Sequence, residues 1–468
     1  MRSNAPKAAL VCVIVALGGC ANLEGPPLET RIDAPAAFSE PASADAAALS
    51  AVWWNAYASA ELTQWIDEAL RSAPDLAIAT ARVREAEAQA TIAGASLFPV
   101  VSASASSART EARSRGDGDW VNADSSRAAL SASYEIDFWG KNAAAARAGR
   151  LGLEATRFDR ETARLTLVSG VASAYFQLLS LRGRLALARE NVAIAERVLK
   201  LVSSRYKFGA VSSLDLARQQ TAVLSQQATI PPLEQQERQT LNALAVLVGR
   251  TPESFEVKAT QIADIPVPGV AAGLPVDVLV RRPDLASAEA TLAAAHANVA
   301  AARGALLPSI QLTGSGGLAT GLLLDLSSPA RSISIGASLL QTVFDGGRLR
   351  SQVELTRGRE QELLESYRKS ILNALADVEN ALVAANRSRD QELLQGQVRD
   401  TSQRTLALAE LRYKEGADDL LTVLDAQRTL FQAQDQFAQV RLARLQASVS
   451  LFKALGGGWA PRDAVSLR

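Results

Sequence analysis

Two stretches of 66 residues, Lys141 to Tyr206 and Arg348 to Tyr413, contain no proline and are dense in Ala, Leu, Arg, Glu and Gln. As helices rising 1.5 Å per residue, each is about 100 Å long, which no compact domain accommodates. Apolar residues such as Leu165, Val168, Tyr175, Leu178, Leu179 and Leu185 fall around more than one stripe. A helix with that pattern needs neighbours on two sides.

The two stretches belong to an internal duplication at an offset of 207 to 209 residues. Pro74-Asp75-Leu76 returns as Pro283-Asp284-Leu285, Gly140-Lys141 as Gly347-Arg348, and Arg205-Tyr206-Lys207-Phe208-Gly209-Ala210 as Arg412-Tyr413-Lys414-Glu415-Gly416-Ala417. Repeats of this kind signal one structural unit used twice. Each half predicts a helix, two short strands, a very long helix, a turn and a return helix. The segments Pro74 to Leu97 and Pro283 to Leu306 open on a first-turn proline and stop before the next proline, which marks them as helices. Return helices follow Gly209 and Gly416, near Ser213 and Leu420, and run to about Leu247 and Ala454. Ser212 to Asp215 reads as a capping box, and Pro231-Pro232 predicts a break in the first return helix alone.

Between the short and long helices the pattern alternates. Leu130 to Asp137 places Leu, Ala, Tyr and Ile on one face and Ser, Ser, Glu and Asp on the other; Ile310 to Thr313 and Ile333 to Leu339 repeat this, and Val101 to Ser107 does so weakly. Four strands of about ten residues, apolar outward and polar inward, fit a transmembrane barrel, with Glu135 and Asp137 on the lumen face. The charged, Gly-rich stretch Arg109 to Arg127 reads as the first hairpin loop, and Ala319 to Arg331 as the second. Four strands close no barrel, and open edges are not tolerated in lipid, so other subunits complete it. Two, three or four chains all give an even strand number, and the pattern does not choose among them.

The N-terminus fixes the compartment. Arg2 and Lys7 precede an apolar run ending Leu17-Gly18-Gly19-Cys20, which reads as an export signal over residues 1–19 with Cys20 as the lipid-bearing first residue of the mature chain. The organisation that follows is an anchored segment and collar over 20–73, a first repeat over 74–249, a linker over 250–282, a second repeat over 283–455 and a tail over 456–468. Trp53, Trp54, Trp65 and Trp459 fall in the collar pieces, where packing is their expected use.

Composition narrows the function classes. Lys+Arg and Asp+Glu both number 49, so nothing argues for nucleic acid. One His, two Cys and one Met supply neither a metal cofactor site nor a nucleophile, base and orienter set, so no enzyme and no cofactor are expected. His296, in an Ala-rich helix, reads as a surface or packing residue.

Several motifs carry a family resemblance over nearly the whole mature chain: Trp53-Trp54, Leu274-Pro275 with Val280-Arg281-Arg282-Pro283-Asp284-Leu285, Phe344-Asp345-Gly346-Gly347-Arg348, Leu421 to Arg428, and Ala454-Leu455-Gly456-Gly457-Gly458-Trp459. In this order they resemble the TolC-type outer membrane efflux factors, in the lipid-anchored branch of OprM-like and NodT-like proteins. The resemblance implies a mainly α fold with a membrane β-barrel: a homotrimer whose twelve strands close one barrel, continued by a tunnel of very long helices. It implies the exit duct of a tripartite efflux pump, sited in the outer membrane and joined through a periplasmic adaptor to an inner-membrane RND-type transporter. It also implies a periplasmic gate. Asp425 and Leu421 match the constriction, Arg428 lies one turn on, and Asp215 matches the first-half partner; Thr422 stands where some members place a second Asp. Asp215 also has a simpler use as a helix cap. The alternatives are a duct for type I protein secretion and, from another class, a lipid-anchored periplasmic coiled-coil scaffold.

Overall fold

The computed structural model describes residues 35–40, 50–113, 120–269 and 275–459. The export signal and Cys20 lie outside the described residues. In chain order the elements are α1 (Ala60–Ser72), α2 (Pro74–Ala95), β1 (Val100–Arg113), β2 (Trp120–Ile136), α3 (Lys141–Lys207), α4 (Ser213–Gln227), α5 (Ile230–Val248), α6 (Pro275–Arg281), α7 (Pro283–Gly304), β3 (Ser309–Thr320), β4 (Ala330–Leu340), α8 (Arg348–Lys414) and α9 (Leu420–Ala454).

The duplication is visible in how helices start and stop. Both long helices have 67 residues and follow a glycine with positive φ, Gly140 and Gly347. Each is started by a carboxylate. Asp137 accepts from the amides of Asn142 (2.9 Å) and Ala143 (2.7 Å), and Asp345 from those of Gly347 (3.0 Å) and Leu349 (2.9 Å). Asp137 is thus a helix-start residue, where the alternation had placed it on the lumen face; the free amides of the first turn outbid open water for it. Glu135 pairs with Lys141 at 2.5 Å. Both long helices end alike, with Ala210 N donating to Arg205 O (2.9 Å) and Ala417 N to Arg412 O (2.8 Å) around Gly209 and Gly416. The first return helix breaks at residues 228–229, just before Pro231-Pro232, which sit in the opening turn of α5; α9 runs 35 residues unbroken. Among the described residues no helix is long and apolar enough to cross a membrane.

The described residues divide into two compact units, one within Arg82–Arg157 and Ser287–Arg368, the other within Ile32–Ala81, Phe158–Ala286 and Lys369–Arg468. The first holds an antiparallel sheet of order β1-β2-β3-β4. Its strands have 14, 17, 12 and 11 residues. The first hairpin is therefore mostly strand, and Arg109 to Arg113 pairs with Trp120 to Asp124 where a loop was expected. The cross-strand ion pair between Arg109 and Asp124, 2.7 Å, shows why charge did not end the ladder. The register separates two faces. One row across the sheet is Ser102, Ser131, Ser315 and Ser334, with hydroxyls bonded in pairs at 2.8 Å. The next row, on the other face, is Ala103, Leu130, Gly316 and Ile333. That face also carries exposed Val101, Leu312 and Ile335. A sheet with one hydroxyl face and one exposed apolar face suits lipid on one side and water on the other.

The second unit owns the largest apolar core. Trp53, Trp54, Tyr57, Leu62, Trp65 and Ile66 pack with Val171 to Leu179 of α3, Leu244 and Val248 of α5, and Leu445 to Phe452 of α9. Trp53 stacks on Phe452 at 4.8 Å, and Trp65 lies 4.7 Å from Phe255. Each of these large side chains, removed from water, contributes about 1.5–3 kcal/mol. The linker is held by polar contacts: Arg182 donates to the carbonyls of Val257 (2.6 Å) and Ala259 (2.7 Å), Arg441 to that of Ile265 (2.5 Å), and Glu61 accepts from Lys258 N (2.7 Å). A smaller cluster forms where the long helices turn back, from Val198, Val202, Leu406, Tyr413, Leu420, Val423 and Leu430.

Candidate functional site

The candidate gate residues sit where α8 turns into α9. Asp419 caps α9, its carboxylate accepting from Thr422 N at 3.0 Å. That bond, with the Thr422 hydroxyl also donating, holds the Asp419 carboxyl below the usual carboxylate range. With the helix started there, Leu421, Asp425 and Arg428 follow at spacings of four and three and share one flank. Leu421 is 57% exposed. Asp425 Oδ1 lies 2.6 Å from Arg428 Nη2, with both side chains more than half exposed, so the pair adds only about 0.3–0.5 kcal/mol. Leu421 and Asp425 also line an open groove of about 870 Å³ with Leu394, Val398, Thr401 and Thr405 of α8. Arg428 borders a different cavity, beside Asn191 and Pro232.

Asp215 is built into the other turn. Ser212 Oγ accepts from Asp215 N (3.2 Å) while Asp215 Oδ2 accepts from Ser212 N (3.2 Å), the reciprocal pair of a capping box. The capping use of Asp215 is therefore realised. Arg218 reaches Asp215 at 3.9 Å, and its charge also acts on Asp419, which links the two turns electrostatically.

A further cation at these turns was missed from sequence. Arg205 Nη2 donates to the carbonyls of Tyr413 (3.0 Å) and Lys414 (2.9 Å), and its guanidinium lies 4.5 Å over the Tyr413 ring. Its repeat counterpart, Arg412, instead pairs with Asp418 at 2.6 Å, and that carboxylate raises the guanidinium pKa. The signal was the repeated Arg-Tyr pair itself, but nothing in the repeat foretold that its two copies act differently. His296 is half-buried, and its Nδ1 lies 2.6 Å from Glu360 Oε1. Among the described residues no group of His, Cys, Asp or Glu could hold a metal ion.

A sheet with one lipid-suited face, duplicated long helices and a polar pair of turns suits a membrane channel subunit. The model of the outer membrane efflux protein family matches the chain twice, over residues 65–250 and 274–457, one match per repeat, and the chain belongs to that family. It is 45% identical over 437 residues to the pyoverdine export outer membrane protein OpmQ of Pseudomonas putida, covering 91% of this chain and 92% of that protein. To OpmQ of Pseudomonas aeruginosa it is 42% identical over 470 residues, covering 96% of each. Among solved structures, the outer-membrane channel OprN matches with a TM-score of 0.87 and 28% identity, over 94% of this chain and all of OprN. The relatives are efflux channels, not enzymes, and this protein is an outer membrane efflux channel.

Proposed function

We propose that three copies of this chain close one twelve-stranded barrel continued by a helical periplasmic tunnel, and that the assembly is the exit duct of a tripartite efflux pump. A periplasmic adaptor joins the duct to an inner-membrane RND-type transporter, which supplies the energy, while Cys20 carries lipid that anchors the chain. The observation that carries this reading is the open sheet: among the described residues β1 and β4 each pair on one side only, while their apolar residues Val101, Ile333 and Ile335 are exposed on one face. Backbone groups left unpaired in lipid cost several kcal/mol each, so both edges require partners. Leu421 and Asp425 form the gate, Arg428 moderates its charge, and Asp215 holds the neighbouring turn. Three copies of Asp425 around one axis concentrate cations, and three of Leu421 narrow a pore that closes by dewetting.

The cargo is a small organic molecule. The OpmQ relatives are named for pyoverdine export, and a secreted compound of that kind is the first candidate. Deleting the gene and assaying secreted pyoverdine tests the cargo, and reconstitution in planar bilayers tests the duct. Restored secretion on complementation and discrete conductance steps are expected. Absence of any conductance contradicts the channel reading.

A further inference from the structure

Pairing register assigns each strand residue of the sheet to one of its two faces, and the hydroxyl face is almost devoid of charge. Ser, Thr, Gln, Ala and Gly make up most of it, with Val100, Val121 and Leu340 towards its ends. The ionic strand residues Arg109, Glu111, Arg113, Asp124 and Arg331 all fall on the opposite face. Arg127 and Glu135 alone share a face with the serines, and Glu135 is paired with Lys141 at 2.5 Å.

Arg127 has no such partner. It stands exposed in the row Ser106, Arg127, Ala319 and Ala330, whose other members are small, and its side chain makes no hydrogen bond or ion pair among the described residues. That row is the last in which all four strands pair, at the hairpin end of the sheet. A lone arginine on an open surface is common and means little. On a wall that holds no other unpaired charge, it sets the sign of the local field. Copies of one chain repeat one wall, so closing the barrel adds further Arg127 side chains and no strand carboxylate to offset them. Low-dielectric walls focus such a field onto the pore, where rings of Arg or Lys favour anions.

We propose that Arg127 is a specificity-determining residue of the duct: its three copies form a cationic ring on the lumen side of the hairpin end, and the cargo it favours is a small organic anion. The proposal rests on the trimeric duct described above and adds the charge of what the duct carries. A guanidinium meets a carboxylate through two parallel hydrogen bonds, so the ring draws the anion in. The serine wall beside it offers hydroxyls but no fixed charge, so the anion is attracted without being trapped, as conduction requires.

Planar-bilayer recordings on the full-length protein, with potassium chloride gradients and citrate as the anionic probe, test this. Arg127→Gln is expected to move the reversal potential towards the cation value, and Arg127→Lys to leave it near that of the wild type. Arg331→Gln removes the same charge from the opposite face in the adjacent row, and should leave the reversal potential unchanged. The ring is met first from the hairpin side, so citrate should reduce wild-type current from one side at about tenfold lower concentration than from the other, a difference lost in Arg127→Gln. The Debye length falls from about 10 Å at 0.1 M salt to about 3 Å at 1 M, so the wild-type difference between sides should fade over that range. These wild-type readings stand even where Arg127→Gln fails to insert. Conductance without a sided citrate effect, an unchanged reversal potential in Arg127→Gln, or an equal shift in Arg331→Gln overturns the proposal and leaves the duct standing. Absence of any conductance overturns both.

Discussion

Asp425 carries its charge within 2.6 Å of Arg428, on a helix flank where both are largely exposed. Removing the carboxylate leaves the cation in place, so Asp425→Ala shifts the local charge by one unit per chain while fold stability changes by less than about 1 kcal/mol. In bilayers, reversal potentials across a salt gradient are expected to move toward anions in Asp425→Ala, with a thermal midpoint near that of the wild type. An unchanged reversal potential separates Asp425 from the ion path. Asp419 makes a pH prediction. Its folded carboxyl lies below the ordinary value of about 3.9, so the cap's contribution is complete above that value and is lost as pH falls through the lower folded value. Amide exchange at Thr422 should therefore rise on acidification, and Asp419→Asn should abolish that dependence while keeping a cap. The cap at Ser212 was readable because Ser, Asp and their spacing encode a local bond. Arg205 was not readable, because its partners, the carbonyls of Tyr413 and Lys414, lie 208 and 209 residues away and only the fold brings them near.

The helices of the two repeats were legible almost to the residue because their limits are written by proline and glycine: Pro74, Pro283, Gly140, Gly209, Gly347 and Gly416 each stand at an end, whereas α1 and α6, in the collar and linker, were not foreseen. The strands were less legible. Hydrophobic alternation fades where β1 and β2 carry Arg109, Glu111, Asp124 and Arg127, yet the ladder continues to the pairing of Arg113 with Trp120, because backbone pairing and cross-strand charge pairs persist where apolar contrast does not. The chain beyond α9 is limited by sterics. Gly456 has a φ of 86°, and a Cβ there would overlap the carbonyl of Arg281. Arg282, the neighbour of that carbonyl, bonds Asp284 at 2.7 Å and Asp377 at 3.2 Å and donates to the Ala454 carbonyl at 3.3 Å, so α6, α7, α8 and α9 meet at one clasp. Burial alone would raise the Asp284 carboxyl, but the bond and charge of Arg282 outweigh it and hold it low. Gly456→Ala is expected to destabilise the protein by about 1–3 kcal/mol through strain at that φ, read as a lowered thermal midpoint; an unchanged midpoint would mean that the clasp yields freely.

At the scale of the whole molecule, the duplication explains why one chain is incomplete. Each repeat contributes one hairpin to the sheet, β1 with β2 and β3 with β4, joined through the pairing of β2 with β3. The sheet thus ends on two edges whose neighbours must come from other copies. The same pattern accounts for exposed apolar residues such as Ile333 and Ile335, at 87% and 90%, which are hard to tolerate in water and suited to lipid. The mass of the protein extracted from outer membranes in mild detergent, measured by native mass spectrometry, tests the assembly most directly. A species of three chains that survives dilution is expected, since edge pairing in lipid has no low-cost alternative; a stable single chain, folded and monodisperse under the same conditions, would contradict the account.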